Sequence, residues 1–337
     1  MSAVVPYAPV HPARSEFRQV RGLRLHLSVW GELAKATPEQ PLVVLMHGWM
    51  DCGPSFQFMV DALRRQPGWA ERPIVAVDWR GFGQSESGPS DCYFFADYLG
   101  DLDELLHQLS PDHPVDLLGH SMGGNVVTLY AGVRSERIRR LVNLEGFGMP
   151  ATTPDEAPQR YIKWLDEIRE PVQLKDYDSL QAVAKRLQAN NPLLRPEFAL
   201  WLAGYWARAE NGRWVINADA AHKRPQPFLY RVEEVLAFMR NIRCPMLFVE
   251  GAQTLYFMFF KGDYKREDFL ERLKLVPDCR METLDQAGSE LRAVRERAAL
   301  SLATQVRVML AQPRGEAQLS AVLDGIAQQS DEIASIG

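Results

Sequence analysis

Ser121 lies in the stretch "GHSMGG" (119–124), which fits the pattern G-x-S-x-G with Gly119 and Gly123 as its glycines. The pentapeptide alone is common, so its setting decides its meaning. It follows the apolar run "PVDLL" (114–118) and precedes "NVVTLYAGV" (125–133), which has helical spacing. Strand, tight turn and helix is the setting in which such a serine becomes a nucleophile. The turn lifts the hydroxyl above the sheet, and small flanking residues keep it free of clashes. The helix that follows presents its positive dipole end to developing negative charge. The chemistry this suits is acyl transfer. A tetrahedral intermediate carries an oxyanion, which needs fixed N–H donors. Met122, the residue after the serine, supplies one. The loop "HGWMD" (47–51) supplies the second, through the N–H of Trp49. His47 reads as a hydrogen-bonded buttress of that loop, and His120 as a packing residue that faces away from Ser121. Both border the expected substrate pocket, as does Asp51.

These residues need a scaffold. "FRQVRG" (17–22) and "LRLHLSVWG" (23–31) read as antiparallel strands. "QPLVVLMHG" (40–48), "RPIVAVDWRGFG" (72–83), the run before Ser121, and "IRRLVNLEG" (138–146) are continuous apolar runs of the kind buried on both faces. Between them, "SFQFMVDALRR" (55–65) and "YFFADYLGDLDELLHQL" (93–109) have helical spacing. The alternation predicts a mostly parallel central sheet with helices on both faces. The rhythm breaks over residues 148–228, where helical patterns near 160–170, 178–189 and 196–208 come without a buried strand; this predicts an inserted helical cap. It resumes with a helix (229–241), a strand (244–252), a helix (265–275), a strand (279–288) and a long helix (290–311). The expected division is a core of 1–147 and 229–312, a cap of 148–228, and a C-terminal tail of 313–337 with helical spacing at Leu319, Val322, Leu323 and Ile326.

Composition narrows the function. The chain has 337 residues, 46% apolar and 24% charged, with a net charge of −5. That charge gives a nucleic-acid partner no electrostatic support. No apolar run approaches the ~20 residues of a membrane span, and the N-terminus lacks the pattern of a signal peptide. Cys52, Cys92, Cys244 and Cys279 are scattered, so neither a disulfide framework nor a zinc site is expected, and a reducing cytoplasm is the default compartment. The expectation is no metal and no cofactor, a small apolar substrate or ligand as partner, and a monomer or homodimer.

Together "HGW" (47–49), "DWRGFGQS" (78–85), "GHSMGG", the cap, and "AG" (287–288) resemble the α/β-hydrolase superfamily, in the branch with a helical cap between the sixth and seventh strands. The resemblance spans roughly residues 15–312. It implies a serine hydrolase acting on small carboxylic esters or similar acyl compounds; Ser121 argues against the members that use an aspartate nucleophile. It also implies an acid in the loop after the seventh strand and a histidine after "AG". The sequence departs from both. The loop "EGAQTLYFMFF" (250–260) has no carboxylate near Gln253, Thr254 or Leu255, and Ser289 stands where the histidine is expected. The seven histidines are 11, 26, 47, 107, 113, 120 and 222, so none lies beyond the cap.

A serine hydroxyl needs a base within hydrogen-bond reach at neutral pH. Glu145, at the end of the sixth strand, is either a displaced acid or a strand-end carboxylate satisfied by backbone N–H groups. His222 is a cap histidine that could hang over the site or simply pack. Asp78 is expected to hold the glycine-rich turn, Asp285 to end a strand, and Glu290 to face a helix N-terminus. Tyr256 and Phe257, in the aromatic run, either pack under the cap or join Ser289 in lining a pocket rebuilt for an apolar ligand. The expectation is a serine hydrolase by ancestry with weak or no ordinary hydrolysis. The alternative is a non-catalytic ligand-binding protein on the same scaffold, whether recruited naturally or engineered.

Overall fold

A computed structural model of the chain describes residues 4–192 and 194–284. Asp285, Ser289, Glu290, the expected helix over 290–311 and the tail 313–337 lie outside the described residues.

The chain opens with β1 (Arg14–Val20) and β2 (Leu23–Trp30), joined by a tight turn. Alternation follows: β3 (Val43–Met46), α1 (Gln57–Arg64), β4 (Ile74–Val77), α2 (Phe95–Leu109), β5 (Val115–His120), α3 (Met122–Val133) and β6 (Ile138–Leu144). An excursion carries α4 (Ala157–Glu167), β7 (Asp176–Tyr177), α5 (Leu180–Asn190), α6 (Pro196–Trp206), β8 (Ala207–Glu210) and β9 (Arg213–Ile216). The chain returns through α7 (Val232–Arg240), β10 (Met246–Gly251), α8 (Arg266–Leu273) and β11 (Cys279–Leu284).

Eight of the strands form one sheet in the order β1-β2-β4-β3-β5-β6-β10-β11. The β1–β2 and β2–β4 pairs are antiparallel, and every pair from β4 to β11 is parallel. The apolar runs explain this. Successive strand residues point to opposite faces. In β3, Val44 and Met46 join a layer with Leu102, Val126, Tyr130 and Phe248, while Val43 and Leu45 join one with Phe56, Met59, Leu63 and Trp69. Each such side chain contributes about 1.5–3 kcal/mol on burial. Parallel pairing sends the C-terminal ends of β3, β5, β6 and β10 to one edge, where their loops converge; ligands of open α/β sheets bind at such an edge.

The excursion differs from expectation in one respect. Helices were expected as far as residue 208, with no buried strand and no hairpin anticipated. Instead α6 ends at Trp206, and β7, β9 and β8 form a three-stranded sheet. Its turn is Asn211-Gly212, with φ of 50° and 76°, the geometry that two-residue hairpins favour. Most residues of these strands are exposed or half-buried, so they lack the continuous apolar run that marks the central ones. The excursion keeps an apolar cluster of its own, including Val183, Leu187, Phe198, Leu202 and Ile216, and it reaches Phe58 and Cys52 of the core.

The N-terminal segment was expected to be plain core. It also straps this cluster. The Tyr7 ring sits edge-on to Phe58 and Phe198, at 5.3 and 4.6 Å. Its hydroxyl donates to Asp61, which also accepts from the N–H groups of Val10 and His11 at 3.2 and 2.9 Å. Among the described residues no helix is long and apolar enough to cross a membrane.

Candidate active site

Ser121 stands between β5 and α3 with φ 51° and ψ −115°. A non-glycine residue in such a conformation carries strain of about 1–3 kcal/mol and persists only where its surroundings enforce it. They do so here. Its N–H donates to Leu144 O at 2.7 Å, and its carbonyl accepts from Asn125 N–H at 3.0 Å. The two motif glycines permit the turn by close approach. A Cβ on Gly119 would lie 2.3 Å from Gly123 O, and one on Gly123 would lie 2.3 Å from Met46 O.

The loop after β3 runs beside the nucleophile: a Cβ on Gly48 would sit 3.2 Å from Ser121 Cβ. Met122 is the first residue of α3, where helical N–H groups have no partner within the helix. Among the described residues, neither the Met122 N–H nor the Trp49 backbone N–H donates to an acceptor. N–H groups left unengaged on the residue after a strained serine and on the loop that runs beside it are candidate oxyanion donors.

The histidines are placed elsewhere. His47 is buried, with Nδ1 2.7 Å from Gly48 O and Nε2 accepting from Trp79 N–H at 3.0 Å, so both ring nitrogens serve the loop. His120 is buried at the end of β5, its Nδ1 3.1 Å from where a Cβ on Gly48 would stand. His26 joins Asp78 at 2.8 Å and Ser15 at 2.8 Å. His11, His107 and His113 are exposed. His222 is buried and stacked between Phe82 and Tyr93, each ring centroid 3.6 Å away. Its ring nitrogens meet Tyr98 Oη and Arg80 O, both at 3.2 Å. Burial pushes this imidazole down to about 3, which makes it a poor proton acceptor. Among the described residues, no side chain hydrogen-bonds to the Ser121 hydroxyl.

The carboxylates near the site hold backbone. Glu145 follows β6 with φ 54° and is buried. Its Oε1 accepts from Gly251 N–H at 2.9 Å and its own N–H donates to Val249 O at 2.9 Å, which ties the ends of β6 and β10 together. Asp51, expected at the pocket, is buried and accepts from the Ser55 hydroxyl at 2.9 Å, securing the short 3-10 turn at Gly53–Phe56. Asp78 accepts from Gly53 N–H at 2.6 Å and Gln84 N–H at 2.9 Å, and so ties the glycine-rich turn to the 3-10 turn at Gly53–Phe56.

The aromatic run after β10 divides into two sides. Tyr256–Phe260 form a 3-10 turn. Tyr256 donates to Gly148 O, and the Tyr256 and Phe257 rings lie 5.2 and 4.8 Å from Phe147. They pack on the loop after β6. Leu255, Met258 and Phe259 turn outward, 58%, 73% and 79% exposed. Among the described residues no group of three His, Cys, Asp or Glu could hold a metal ion. An apolar cavity of about 30 Å³ behind α3, lined by Leu129, Phe147, Met239 and Phe269 among others, is water-sized and does not include Ser121.

Three contacts escaped sequence reasoning: Tyr7 to Asp61, Trp49 to His222, and Tyr93 to Asp219. Only the aromatic residue types themselves hinted at them, because their partners are far away in the chain.

A profile of the family described as "alpha/beta hydrolase fold" matches residues 41–279. Curated relatives include a serine hydrolase-like protein from Danio rerio, 25% identical over 264 residues, covering 74% of this chain and 76% of that one. The sn-1-specific diacylglycerol lipase ABHD11 of Mus musculus is 28% identical over 253 residues, covering 74% and 75%. A serine hydrolase-like protein from Dictyostelium discoideum is 25% identical over 245 residues, and the match spans 65% of its length. Among solved structures, a thioesterase domain from the curacin biosynthetic pathway superposes with a TM-score of 0.74 at 24% identity, covering 88% of this chain and 99% of that one. The sheet order, the strained serine turn and the extent of the profile match agree: the chain belongs to the alpha/beta hydrolase fold family.

Proposed function

We propose that the chain is a serine hydrolase of small carboxylic esters or related acyl compounds, working without a conventional base. Ser121 is the nucleophile, and the N–H groups of Trp49 and Met122 hold the oxyanion. The observation that carries this reading is the strained Ser121 beside two N–H donors with no acceptor among the described residues. Apolar acyl groups are the substrate class to test first, in keeping with the lipase among the relatives.

Ser121 Oγ attacks the carbonyl carbon and its proton passes to solvent. The tetrahedral oxyanion is held by the two donors and collapses with loss of the alcohol; water then cleaves the acyl-enzyme. Loss of a triad base costs orders of magnitude in turnover, and the oxyanion hole with binding retains roughly 10³–10⁴-fold over water. Glu145, His47, Asp51, His120, Tyr256 and Phe257 complete the surroundings of the site in this reading, as supports of backbone or pocket rather than as proton carriers. Four scattered cysteines, none of them in a disulfide, support a reducing compartment.

Hydrolysis of an activated ester tests the proposal, with Ser121→Ala as control. Slow release that vanishes in the variant supports it, and equal rates overturn it.

One observation favours a second reading, a ligand-binding protein on the same scaffold, whether recruited or designed. The ring nitrogens of His26, His47 and His222 are all engaged away from Ser121, and the run after β10 offers apolar side chains where an acid is expected. Saturable binding of an apolar ester with no Ser121-dependent release would establish it.

A further inference from the structure

We propose that His222 is a positioning residue for the oxyanion loop: its side chain locks a turn of the excursion whose carbonyl holds the Trp49 indole. This rests on the hydrolase reading of Ser121 and Trp49 above.

Trp49 is an awkward residue to hold still. It follows β3 on a short loop, its side chain is 53% exposed, and Met50 after it has φ 54°. Its indole has one hydrogen-bond partner among the described residues, the carbonyl of His222 at 3.2 Å. That carbonyl belongs to the 3-10 turn Ala220–Lys223, which comes from the far side of the excursion, 173 residues along the chain.

The turn is fixed from several sides. Asp219 N–H donates to Gly81 O at 2.7 Å, and Gly83 N–H donates to Asn217 O at 2.8 Å, so backbone joins backbone. Tyr93 donates to Asp219 Oδ2 at 2.7 Å, while Asp219 Oδ1 accepts from Ala221 N–H at 2.9 Å. The imidazole of His222 then closes the assembly, lying between the Phe82 and Tyr93 rings with planes tilted by 17° and 14°. Its two nitrogens suit this place: one faces the Tyr98 hydroxyl, the other the carbonyl of Arg80. The fit is close, since a Cβ on Gly81 would stand 2.7 Å from His222 Nε2. A flat ring with one polar atom on each edge fills the slot and satisfies both neighbours. Removing it would loosen the turn, and with it the one tether of the indole among the described residues.

The consequence is chemical. Without a base, the oxyanion donors carry most of the rate, and their value depends on being held about 2.7–3.1 Å from the developing charge. Trp49 supplies one of them through its backbone. A loop that drifts by a fraction of an ångström loses transition-state stabilisation and leaves substrate binding largely alone. His222 therefore acts on turnover through Trp49, with no contact to substrate and no proton transfer.

The experiment has two readouts on the full-length chain. The first is NMR with ¹⁵N-labelled tryptophan, with the Trp49 indole resonance assigned by its absence in Trp49→Phe. In His222→Ala this indole N–H should exchange with solvent at least about tenfold faster, with the other indole resonances unmoved. The second is hydrolysis of an activated ester per folded molecule. Both His222→Ala and Trp49→Phe should lower kcat by about tenfold with KM nearly constant, in the range of a weakened oxyanion donor. The double variant should fall no further than either single one, because the two residues act as a unit. His222→Phe keeps the sandwich and should recover most of the loss.

An unchanged indole exchange, an unchanged kcat in folded His222→Ala, or a double variant whose losses multiply would each overturn the inference. A wild type with no Ser121-dependent turnover is a separate failure, that of the hydrolase reading and the oxyanion role with it; the exchange measurement still decides whether His222 tethers Trp49.

Discussion

At the C-terminal edge of the sheet, the turn after β5 and the loop after β10 lie two strands apart, with β6 between them. The turn after β5 holds Ser121 in a strained conformation, with glycines where a Cβ would strike backbone and with the proposed N–H donors of Met122 and Trp49 left without an acceptor among the described residues. The loop after β10 keeps its place, with Gly251 bound to Glu145, yet its next residues pack Tyr256 and Phe257 on Phe147 where an acid is expected. The difference lies in what each half is made of. The proposed oxyanion half is backbone, enforced by the sheet and by close-packed glycines, so its loss should disturb the fold. In the proposed reading the base half rests on side chains, of which the loop after β10 supplies no carboxylate near Gln253, Thr254 or Leu255. On the proposed function, a chain could therefore keep its elbow after its proton-transfer side chains are replaced.

The largest effect should come from repairing the second half. Ser289→His alone should raise activated-ester turnover less than about tenfold, and Ser289→His with Leu255→Asp about 10³–10⁴-fold, the scale on which an orienting acid matters to a catalytic histidine. Steady-state turnover checks this. Full recovery in the single variant that Glu145→Gln then abolishes would make Glu145 the acid, and the contrast between the two loops would fail.

Next in size is damage to the first half. Gly123→Ala forces a Cβ against Met46 O, and should lower unfolding free energy by at least about 1–3 kcal/mol, the cost of overpacking. Leu255→Ser, at an exposed position, should stay within about 0.5 kcal/mol. Denaturant titration of both variants measures the contrast; equal losses would mean that the two loops are equally built into the fold.

The smallest effect concerns pH. The His222 imidazole is held near 3 in the folded chain by burial, below its ordinary value of about 6.5. Between those values the unfolded chain binds the extra proton, so this residue makes stability fall as pH drops from about 6.5 towards 3, by at most about 1.4 kcal/mol per pH unit, and leaves it unaffected above that window. His222→Phe should flatten the acid limb of stability against pH; an unaltered slope would show that His222 titrates in the folded chain as it does when unfolded.

Much of this site could be read from the sequence because its scaffold is buried on both faces. The runs that became β3, β4, β5 and β6 are continuous and apolar, and the serine turn follows directly from them. The hairpin of β8 and β9 was missed because its strands are exposed, although Asn211-Gly212 marked its turn. Tyr7 was missed for a different reason: Asp61, Phe58 and Phe198 give it meaning only after the chain has folded. Glu145 stayed ambiguous in the sequence because its role depends on Gly251, which β10 brings alongside. The same holds for His222, whose nitrogens look available until Tyr98 and Arg80 are placed against them.

The central claim is that Ser121 and its oxyanion donors act without a protein base, and the pH–rate profile of activated-ester hydrolysis tests it most directly. With the Ser121→Ala background subtracted, log kcat/KM should climb steadily with pH between about 6 and 9, because the proton leaves to solvent hydroxide and no enzyme group takes it from Ser121. A plateau above an inflection between about pH 5 and 8 would contradict the account, since it would reveal a base poised to take the proton of Ser121.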